Sequence, residues 1–260
     1  MQKGNKESMT VSSDAAKPLI IAHRGARDVA PENTLAAFQA ALDAGADGIE
    51  LDVSRCASGE IVVMHDDTVD RTTDGHGRVA DLGWAELQRL DAGSSFSPEF
   101  AGEGVPLLEQ VLAGFADKLM INIEIKAVAR GIWRGDGIER EIAAKVAKYH
   151  ARHILVSSFN PLALGRMGRV APELPCALLY APNMPVWLSR AWSRHWLKLA
   201  ALHPEHSMVD AEMLTRAQTQ GYQVNAWTVN DPDEMGRLIK LGVDGLITDH
   251  PELARGLLSA

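Results

Sequence analysis

Residues 18–38, "PLIIAHRGARDVAPENTLAAF", join a short apolar run to a polar turn and a helical pattern. The run LIIAH has the length and composition of a buried β-strand, and it ends abruptly in His23 and Arg24. Residues 34–44 carry apolar side chains at helical spacing, with Asn33 as the predicted N-cap. The stretch therefore predicts a strand followed by a helix, with two chemically capable side chains where the strand ends.

The same alternation continues along the chain. Short apolar runs predict eight strands, and helical patterns lie between most of them. Eight strands alternating with helices favour an α/β fold of the (β/α)8 TIM-barrel type, with an open doubly wound parallel sheet as the alternative. The predicted strands are 19–23, 48–54, 119–126, 153–159, 175–181, 206–210, 222–230 and 243–249. The other predicted helices are 138–149, 162–170, 212–220 and 232–241, the last closed by Gly242.

One long segment interrupts this alternation. Residues 55–105 contain a predicted hairpin strand, "EIVVMHD", followed by sequence rich in Gly and Pro. This is too long for an ordinary strand-to-helix loop, so we expect a small insertion after strand 2. Because residues 1–18 are polar, we expect a disordered leader there and a single TIM-barrel domain at 19–260.

Composition argues against several classes of protein. A formal net charge of −8 gives no support to nucleic-acid binding. Cys56 and Cys176 lack the spacing of a disulfide framework or a zinc site. The leader lacks the apolar core that a signal peptide has, and no apolar run in the chain approaches the ~20 residues that a membrane span needs. We expect a cytoplasmic enzyme with a small-molecule substrate and no nucleic-acid partner, and its oligomeric state stays open.

Three acidic residues and a lysine interrupt two of the predicted buried strands. Glu50 and Asp52 alternate with apolar residues in "GIELDVS", as Glu124 and Lys126 do in "NIEIK". The period-2 alternation turns these side chains into the barrel, near the strand ends where barrel active sites lie. Three converging carboxylates suit one hard divalent cation, Mg²⁺ or Ca²⁺. The alternative is a structural salt-bridge network with Arg24, Lys126 and Arg55.

Two of the nine histidines stand apart from the rest. His23 and His65 each follow an apolar strand directly, in "LIIAH" and "EIVVMHDD". Either histidine alone fits a hydrogen-bonded rim residue, whereas two beside a carboxylate cluster favour a general acid and base. Arg24 has the fork geometry that binds a phosphate group.

The motifs taken together resemble the glycerophosphodiester phosphodiesterase family. From about residue 19 to 258 they are "HRG", "PENT", "ELDV", "HDDTVDRTTDGHG", "VPLLEQVL", "NIEIK", "NAWTVN" and "GLITDHP". The resemblance implies a (β/α)8 barrel with a small subdomain inserted after the second strand. It also implies metal-dependent hydrolysis of glycerophosphodiesters to sn-glycerol 3-phosphate and an alcohol.

The resemblance also implies roles for individual positions, and none departs from the family pattern. The two histidines would act as acid and base; we take His23 as the base and His65 as the acid, with the reverse order open. Water or the substrate's own 2-hydroxyl would be the nucleophile. The implied metal ligands are Glu50, Asp52 and Glu124, and the implied substrate-binding residues are Arg24, Lys126 and Trp227.

Other motif residues are expected to serve the fold. Asp249 ends the last predicted strand, and Arg71 organises the base of the insertion. Glu32 begins the first helix or buttresses Arg24. His203 precedes the sixth predicted strand, near the pocket but without a catalytic role.

Residues 183–203, "NMPVWLSRAWSRHWLKLAALH", combine tryptophans with basic residues. A helix of this composition can lie on a membrane, which would suit a lysophospholipase D-like enzyme on the same barrel. We favour a barrel helix that packs Trp192 and Trp196 on the sheet beside Leu188 and Leu199, and we expect no stable membrane association. A non-catalytic binding module and a sugar-phosphate isomerase fit less well, because no motif residue is missing and no Gly-rich phosphate loop follows the last strands.

Overall fold

The strands form at or close to the predicted apolar runs. The computed structural model describes residues 17–126, 137–151 and 153–259. The leader predicted at 1–18 lies outside these residues, except for its last two. The strands are β1 (Leu19–His23), β2 (Gly48–Arg55), β3 (Ile61–Val63), β4 (Met120–Ile125), β5 (Ile154–Ser158), β6 (Cys176–Tyr180), β7 (Ala201–Pro204), β8 (Gln223–Ala226) and β9 (Gly245–Thr248).

All of these strands except β3 join in one closed parallel barrel. The hydrogen-bonded order is β1, β9, β8, β7, β6, β5, β4, β2, and β1 also pairs with β2. Closure occurs at β1, where Ile21 aligns with Gly48 of β2 on one side and with Ile247 of β9 on the other. The TIM-barrel prediction is confirmed, and the open-sheet alternative is wrong because the first and last strands are paired.

Helices surround the barrel and bury its outer face. Ile49, Leu51 and Val53 of β2 are fully buried in the cluster that also holds Phe38 and Leu108 from neighbouring helices. In the described part of the chain, no helix has the length and apolar character needed to cross a membrane. The helices are α1 (Leu35–Asp43), α2 (Trp84–Leu87), α3 (Leu108–Phe115), α4 (Ile138–Lys148), α5 (Pro161–Val170), α6 (Val186–Ser189), α7 (Ala211–Thr219), α8 (Pro232–Leu241) and α9 (Pro251–Ser259).

The predicted insertion after the second strand is present. β3 folds back on β2 as an antiparallel hairpin, pairing Val53 with Val63. Beyond it, short turns and α2 enclose a small apolar cluster of their own, which includes Val62, Val69 and Leu87. The hairpin thus carries the residues after β3, beginning with Met64, back toward the end of the barrel strands.

Two local predictions are wrong. The N-cap of α1 is Thr34, whose hydroxyl accepts a backbone hydrogen bond, whereas Asn33 adopts a left-handed conformation one residue earlier. The sixth barrel strand is β7 rather than 206–210, where the chain forms a 3₁₀ turn instead. Gly242 does close α8, with φ 85° in the left-handed region that glycine favours.

The chain between β6 and β7 does not form the expected barrel helix. One turn of α6 is followed by Ala191 at φ 49° and by a 3₁₀ turn at Trp192–His195. A left-handed residue breaks the helical hydrogen-bond ladder, so the expected shared helical face does not exist. Trp192 is 48% exposed and Trp196 is 82% exposed. The prediction that these tryptophans pack on the sheet is therefore wrong.

Candidate active site

Strand register brings the predicted polar residues to one end of the barrel interior. His23, the last residue of β1, aligns with Glu50 of β2, which in turn aligns with Asn122 of β4. Two residues further along, Asp52 aligns with Glu124. Because side chains alternate across a strand, aligned residues at even spacing point to the same face. The sequence-predicted acids are therefore neighbours at the carboxyl end of the strands.

The three acids form a compact oxygen cluster. Glu50, Asp52 and Glu124 are all buried, and one carboxylate oxygen from each lies within 4.8 Å of the other two. Glu50 Oε2 accepts a hydrogen bond from the backbone amide of Arg24 at 3.0 Å. Its Oε1 is buried without a hydrogen-bond partner among the described residues. An unpartnered carboxylate oxygen in such a cluster fits a hard divalent cation, which takes oxygen ligands.

Burial and mutual repulsion perturb these acids strongly. Burial, together with the charges of Asp52 and Glu124, raises the pKa of Glu50 well above its usual value. Burial, with the charge of Asp52, raises the pKa of Glu124 to about 7. Burial acts the same way on Asp52, but the positive charges of Lys126 and Arg24 outweigh it and lower its pKa. Glu50 and Glu124 therefore hold their protons more tightly than free acids do, and a bound cation would displace those protons and neutralise the carboxylates.

The salt-bridge alternative is realised only in part. Lys126 Nζ lies 3.0 Å from Glu124 Oε1 and 3.3 Å from Asp52 Oδ1, and Arg24 Nε lies 3.3 Å from Asp52 Oδ2. Arg55, by contrast, forms an ion pair with Glu141. The two basic groups at the cluster leave Glu50 Oε1 without a partner, so the ion pairs and a cation site are compatible.

Each predicted catalytic histidine is held by a carboxylate. His23 Nδ1 lies 2.6 Å from Asp249 Oδ1, and His65 Nδ1 lies 2.6 Å from Asp66 Oδ1. A carboxylate only accepts hydrogen bonds, so each Nδ1 carries a proton, and Nε2 is the atom through which each ring can exchange a proton with the substrate. Asp249 is itself oriented by the side-chain amide of Asn230 at 2.7 Å.

The two carboxylates bound to the histidines are the residues that sequence reasoning missed. The sequence predicts only that Asp249 ends a strand, and it predicts no role for Asp66. Asp66 immediately follows His65, so the His-Asp dipeptide in the sequence could have indicated this contact. Asp249 lies 226 positions from His23 and reaches it only because β9 pairs with β1, which no local pattern records.

A second layer of ion pairs fixes Arg24. Its backbone is left-handed at φ 58°, a conformation that is uncommon outside glycine and marks a constrained turn. Glu32 Oε1 accepts from Arg24 Nη1 at 2.9 Å, so Glu32 does buttress Arg24. Arg71, from the insertion, donates to both Glu32 and Asp66. Burial raises the pKa of Glu32, but these arginines outweigh it and hold that pKa at about 2.

The pocket above the cluster is small. Its volume is about 160 Å³, and His23, His65, Lys126, Phe159 and Trp227 are among the residues that line it. The rings of Phe159 and Trp227 meet edge to face with centroids 5.3 Å apart. All of the sequence-predicted site residues lie in or directly beside this pocket, which also includes Asn122.

His203 lies deeper than expected. It sits within β7 rather than before a strand, and its side chain is fully buried. Burial lowers its pKa to about 3, so the ring is neutral at physiological pH. Its Nε2 lies 3.0 Å from the amide nitrogen of Asn225, and its backbone carbonyl accepts from Trp227 Nε1 at 2.7 Å. This residue fixes the position of the pocket-lining tryptophan.

The chain is similar to proteins of one family. A sequence profile of the glycerophosphoryl diester phosphodiesterase family matches residues 23–253. A glycerophosphodiester phosphodiesterase of Caldanaerobacter subterraneus subsp. tengcongensis is 41% identical over 239 residues, which cover 91% of this chain and 96% of the relative.

Solved structures show the same similarity. A glycerophosphodiester phosphodiesterase from Agrobacterium tumefaciens has a TM-score of 0.78 at 28% identity, with 92% of this chain and 99% of that chain covered. An Oleispira antarctica phosphodiesterase, solved in complex with the product sn-glycerol 3-phosphate, has a TM-score of 0.79 at 31% identity. That comparison covers 94% of this chain and 98% of the other.

Proposed function

Because the chain belongs to the glycerophosphoryl diester phosphodiesterase family, we propose that it hydrolyses glycerophosphodiesters to sn-glycerol 3-phosphate and an alcohol. The observation that carries this proposal is the joint occurrence, at one pocket, of a buried three-carboxylate cluster and two histidine–carboxylate pairs. The Oleispira relative, which holds sn-glycerol 3-phosphate, supports the choice of product.

Glu50, Asp52 and Glu124 would hold one divalent cation, Mg²⁺ or Ca²⁺, through carboxylate oxygens. Such a cation, when bound, supplies Lewis-acid and orienting chemistry at a phosphate oxygen. The unpartnered Oε1 of Glu50 supports this assignment, as do the burial and the repulsion from Asp52 that raise the pKa of Glu124.

The two histidines would perform opposite proton transfers. His23, with Nδ1 bound to Asp249, would accept a proton at Nε2 from the nucleophile, and Asp249 would stabilise the imidazolium that forms. His65, whose Nδ1 proton is held by Asp66, would enter the step as an imidazolium and donate its Nε2 proton to the leaving alkoxide. The assignment of base and acid is part of the proposal. So is the nucleophile, either water or the substrate's 2-hydroxyl.

Arg24 and Lys126 would bind the non-bridging phosphoryl oxygens as negative charge accumulates on them. Burial lowers the pKa of both groups, but the neighbouring carboxylates outweigh it and raise both pKa values, so each stays protonated during turnover. Trp227 and Phe159 would contact the glycerol moiety or the leaving alcohol at the wall of the pocket.

The test is release of sn-glycerol 3-phosphate from glycerophosphocholine and glycerophosphoethanolamine by chelator-treated protein. We expect release only after Mg²⁺ or Ca²⁺ is restored. His23→Ala and His65→Ala should each lower kcat by about 10²–10⁴-fold, because each removes a positioned acid or base. His76→Ala is the matched control, since His76 is 87% exposed in the insertion and should leave kcat unchanged.

Turnover that persists without any divalent cation, or at a normal rate in both site variants, would contradict the proposal. Cleavage of lysophosphatidylcholine with no cleavage of the water-soluble diesters would contradict the proposed substrate class while leaving the cation-dependent site in place.

A further inference from the structure

One stretch of this acidic protein contains no acidic residue. The chain has a formal net charge of −8, yet no Asp or Glu occurs between Glu173 and Glu205. The same stretch carries Arg190, Arg194 and Lys198. A local positive charge on an acidic background is a feature that net charge alone conceals, and it attracts anionic partners.

The aromatic–basic segment, residues 186–198, also exposes large apolar side chains. Val186 is 59% exposed, Trp192 is 48% exposed and Trp196 is 82% exposed. Leu197, beside Trp196, packs against the main core, so the segment is anchored while its tryptophan is not. Exposing a tryptophan to water costs free energy because its large apolar surface is hydrated. A cluster of exposed apolar side chains therefore indicates a binding surface.

A cleft opens between this segment and α7. A regular barrel would cover the outer face of β6 and β7 with a full helix, but here α6 and the following 3₁₀ turn are each four residues long. The resulting cleft has a volume of about 390 Å³, and its lining includes Arg190, Trp192, Arg194 and Arg216.

The charges in this cleft are largely uncompensated. Arg216 forms an ion pair with Glu212 on its own helix. Arg194 donates to the backbone carbonyls of Arg190 and Ala191. Over the ranges 17–126, 137–151 and 153–259, no carboxylate lies within ion-pair distance of Arg190 or Arg194. Two guanidinium groups beside an exposed indole thus lack an anionic partner.

We propose that the aromatic–basic segment binds the surface of anionic phospholipid membranes, with Trp192 and Trp196 entering the headgroup region and Arg190 and Arg194 contacting lipid phosphates. Indole rings favour this region because one end is apolar and the other donates a hydrogen bond. Arginine binds phosphate through its fork of donors.

The test is co-flotation of the full chain with phosphatidylcholine vesicles and with vesicles containing 30 mol% phosphatidylglycerol (about 3:7 with phosphatidylcholine), at low and high salt. We expect binding to the anionic vesicles only, weakened by salt. Arg190→Gln with Arg194→Gln should lower the partition coefficient roughly 25-fold, at about fivefold per arginine. Trp192→Ala with Trp196→Ala should abolish detectable flotation.

Phe96→Ala and Arg169→Gln are the matched controls, because Phe96 is 43% exposed in the insertion and Arg169 is exposed on α5. Both should float as the unaltered protein does. Circular dichroism and hydrolysis of a water-soluble diester check that every variant is folded, and neither readout depends on lipid.

Equal binding to neutral and anionic vesicles, or no loss in the arginine and tryptophan variants, would overturn the proposal. So would a stable dimer in light scattering that Trp196→Ala dissociates, since the surface would then bind a second copy of the chain. The flotation result stands apart from the catalytic proposal, because binding is measured without turnover.

Discussion

At the scale of single residues, the candidate site depends on which nitrogen of each histidine is engaged. Asp249 and Asp66 both contact Nδ1, although they lie far apart in the sequence. Burial raises the pKa of Asp249, but its contact with His23 and the charge of Arg27 outweigh it and lower the pKa. Asp249 therefore stays ionised and fixes both the tautomer and the orientation of His23.

Asp249→Asn tests this positioning role. An amide at this position can present its NH₂ group to Nδ1, which favours the wrong tautomer, so we expect kcat to fall by about 10²–10³-fold. Cation affinity, measured by calorimetry, should not change. The control is Asp28→Asn, since Asp28 also lies beside a histidine Nδ1, that of His250 at 3.1 Å. Equal loss of activity in both variants would argue for a general effect on the fold.

The pKa of Glu124 gives a prediction for pH. This pKa is about 7 when folded and 4.5 as the reference value, so the folded state binds the proton more tightly. Its stabilising effect is complete below pH 4.5 and is lost as pH rises through 7. In chelator, Glu124→Gln should therefore gain stability relative to the unaltered protein by about 1–3 kcal/mol between pH 4.5 and 8.

Urea denaturation at pH 5 and pH 8 measures this difference. Comparison of the two proteins cancels the titration of groups that Glu124 does not influence, such as His65, whose pKa burial lowers. Glu50 is not one of them, because the charge of Glu124 helps to raise its pKa. Glu99→Gln, at an exposed position in the insertion, should show no pH-dependent gain. A difference that is the same at both pH values would contradict the raised pKa.

At the scale of elements, the sequence predicted the number of barrel strands and the position of all but one of them. Near-continuous apolar runs located seven of the eight barrel strands, because parallel strands are buried on both faces. The remaining strand, β7, is only Ala201–Pro204, and its residues continue the apolar pattern of the residues before it. Short apolar runs do not distinguish strand from helix, so the pattern predicts the strand at 206–210 instead.

The same scale explains what was predicted of the site. Glu50, Asp52 and Glu124 were found together because alternation within a strand is local and visible in the sequence. The shape of the turn after β1 could not be predicted in this way, because it depends on the close approach of the turn to α1. Gly25, at φ 86°, packs directly against the backbone of α1.

Gly25→Ala should therefore be strongly destabilising. A Cβ at Gly25 would lie 2.6–2.8 Å from the Cβ, carbonyl carbon and carbonyl oxygen of Ala37. We expect a loss of about 3–4 kcal/mol, of which ~1 kcal/mol is the left-handed backbone and the rest is the clash. Gly242→Ala is the control, because Gly242 has φ 85° with nothing within 4 Å of its Cβ position.

Chemical denaturation of both variants separates the two contributions. We expect Gly242→Ala to lose only ~1 kcal/mol. Equal losses would mean that the close approach of α1 to Gly25 has no energetic effect.

At the scale of the whole molecule, the candidate site joins the insertion to the barrel. Arg71 lies in the insertion, yet it contacts Glu32 before α1 and Asp66 beside His65. A cation bound by Glu50, Asp52 and Glu124 would add a further link between β2 and β4. Cation binding should therefore stabilise the molecule as a unit.

Thermal unfolding measures this stabilisation. At a cation concentration of 100 Kd, mass action adds about 2.7 kcal/mol, which raises Tm by roughly 5–10 °C for a chain of this size. Glu50→Gln should lower the affinity and reduce the shift at the same concentration. Glu86→Gln, in the insertion, should keep the full shift. A full shift in Glu50→Gln would place the cation elsewhere.

Closure of the barrel between β1 and β9 also determines when the molecule can be completed during synthesis. His23 and Asp249 are separated by 226 positions. At about 5–20 residues per second, the ribosome adds that length in roughly 10–45 s. For that time the edge of β1 that faces β9 has no partner, and an open strand edge can pair with other chains. The nascent protein therefore needs its greatest protection from aggregation until its last strand emerges.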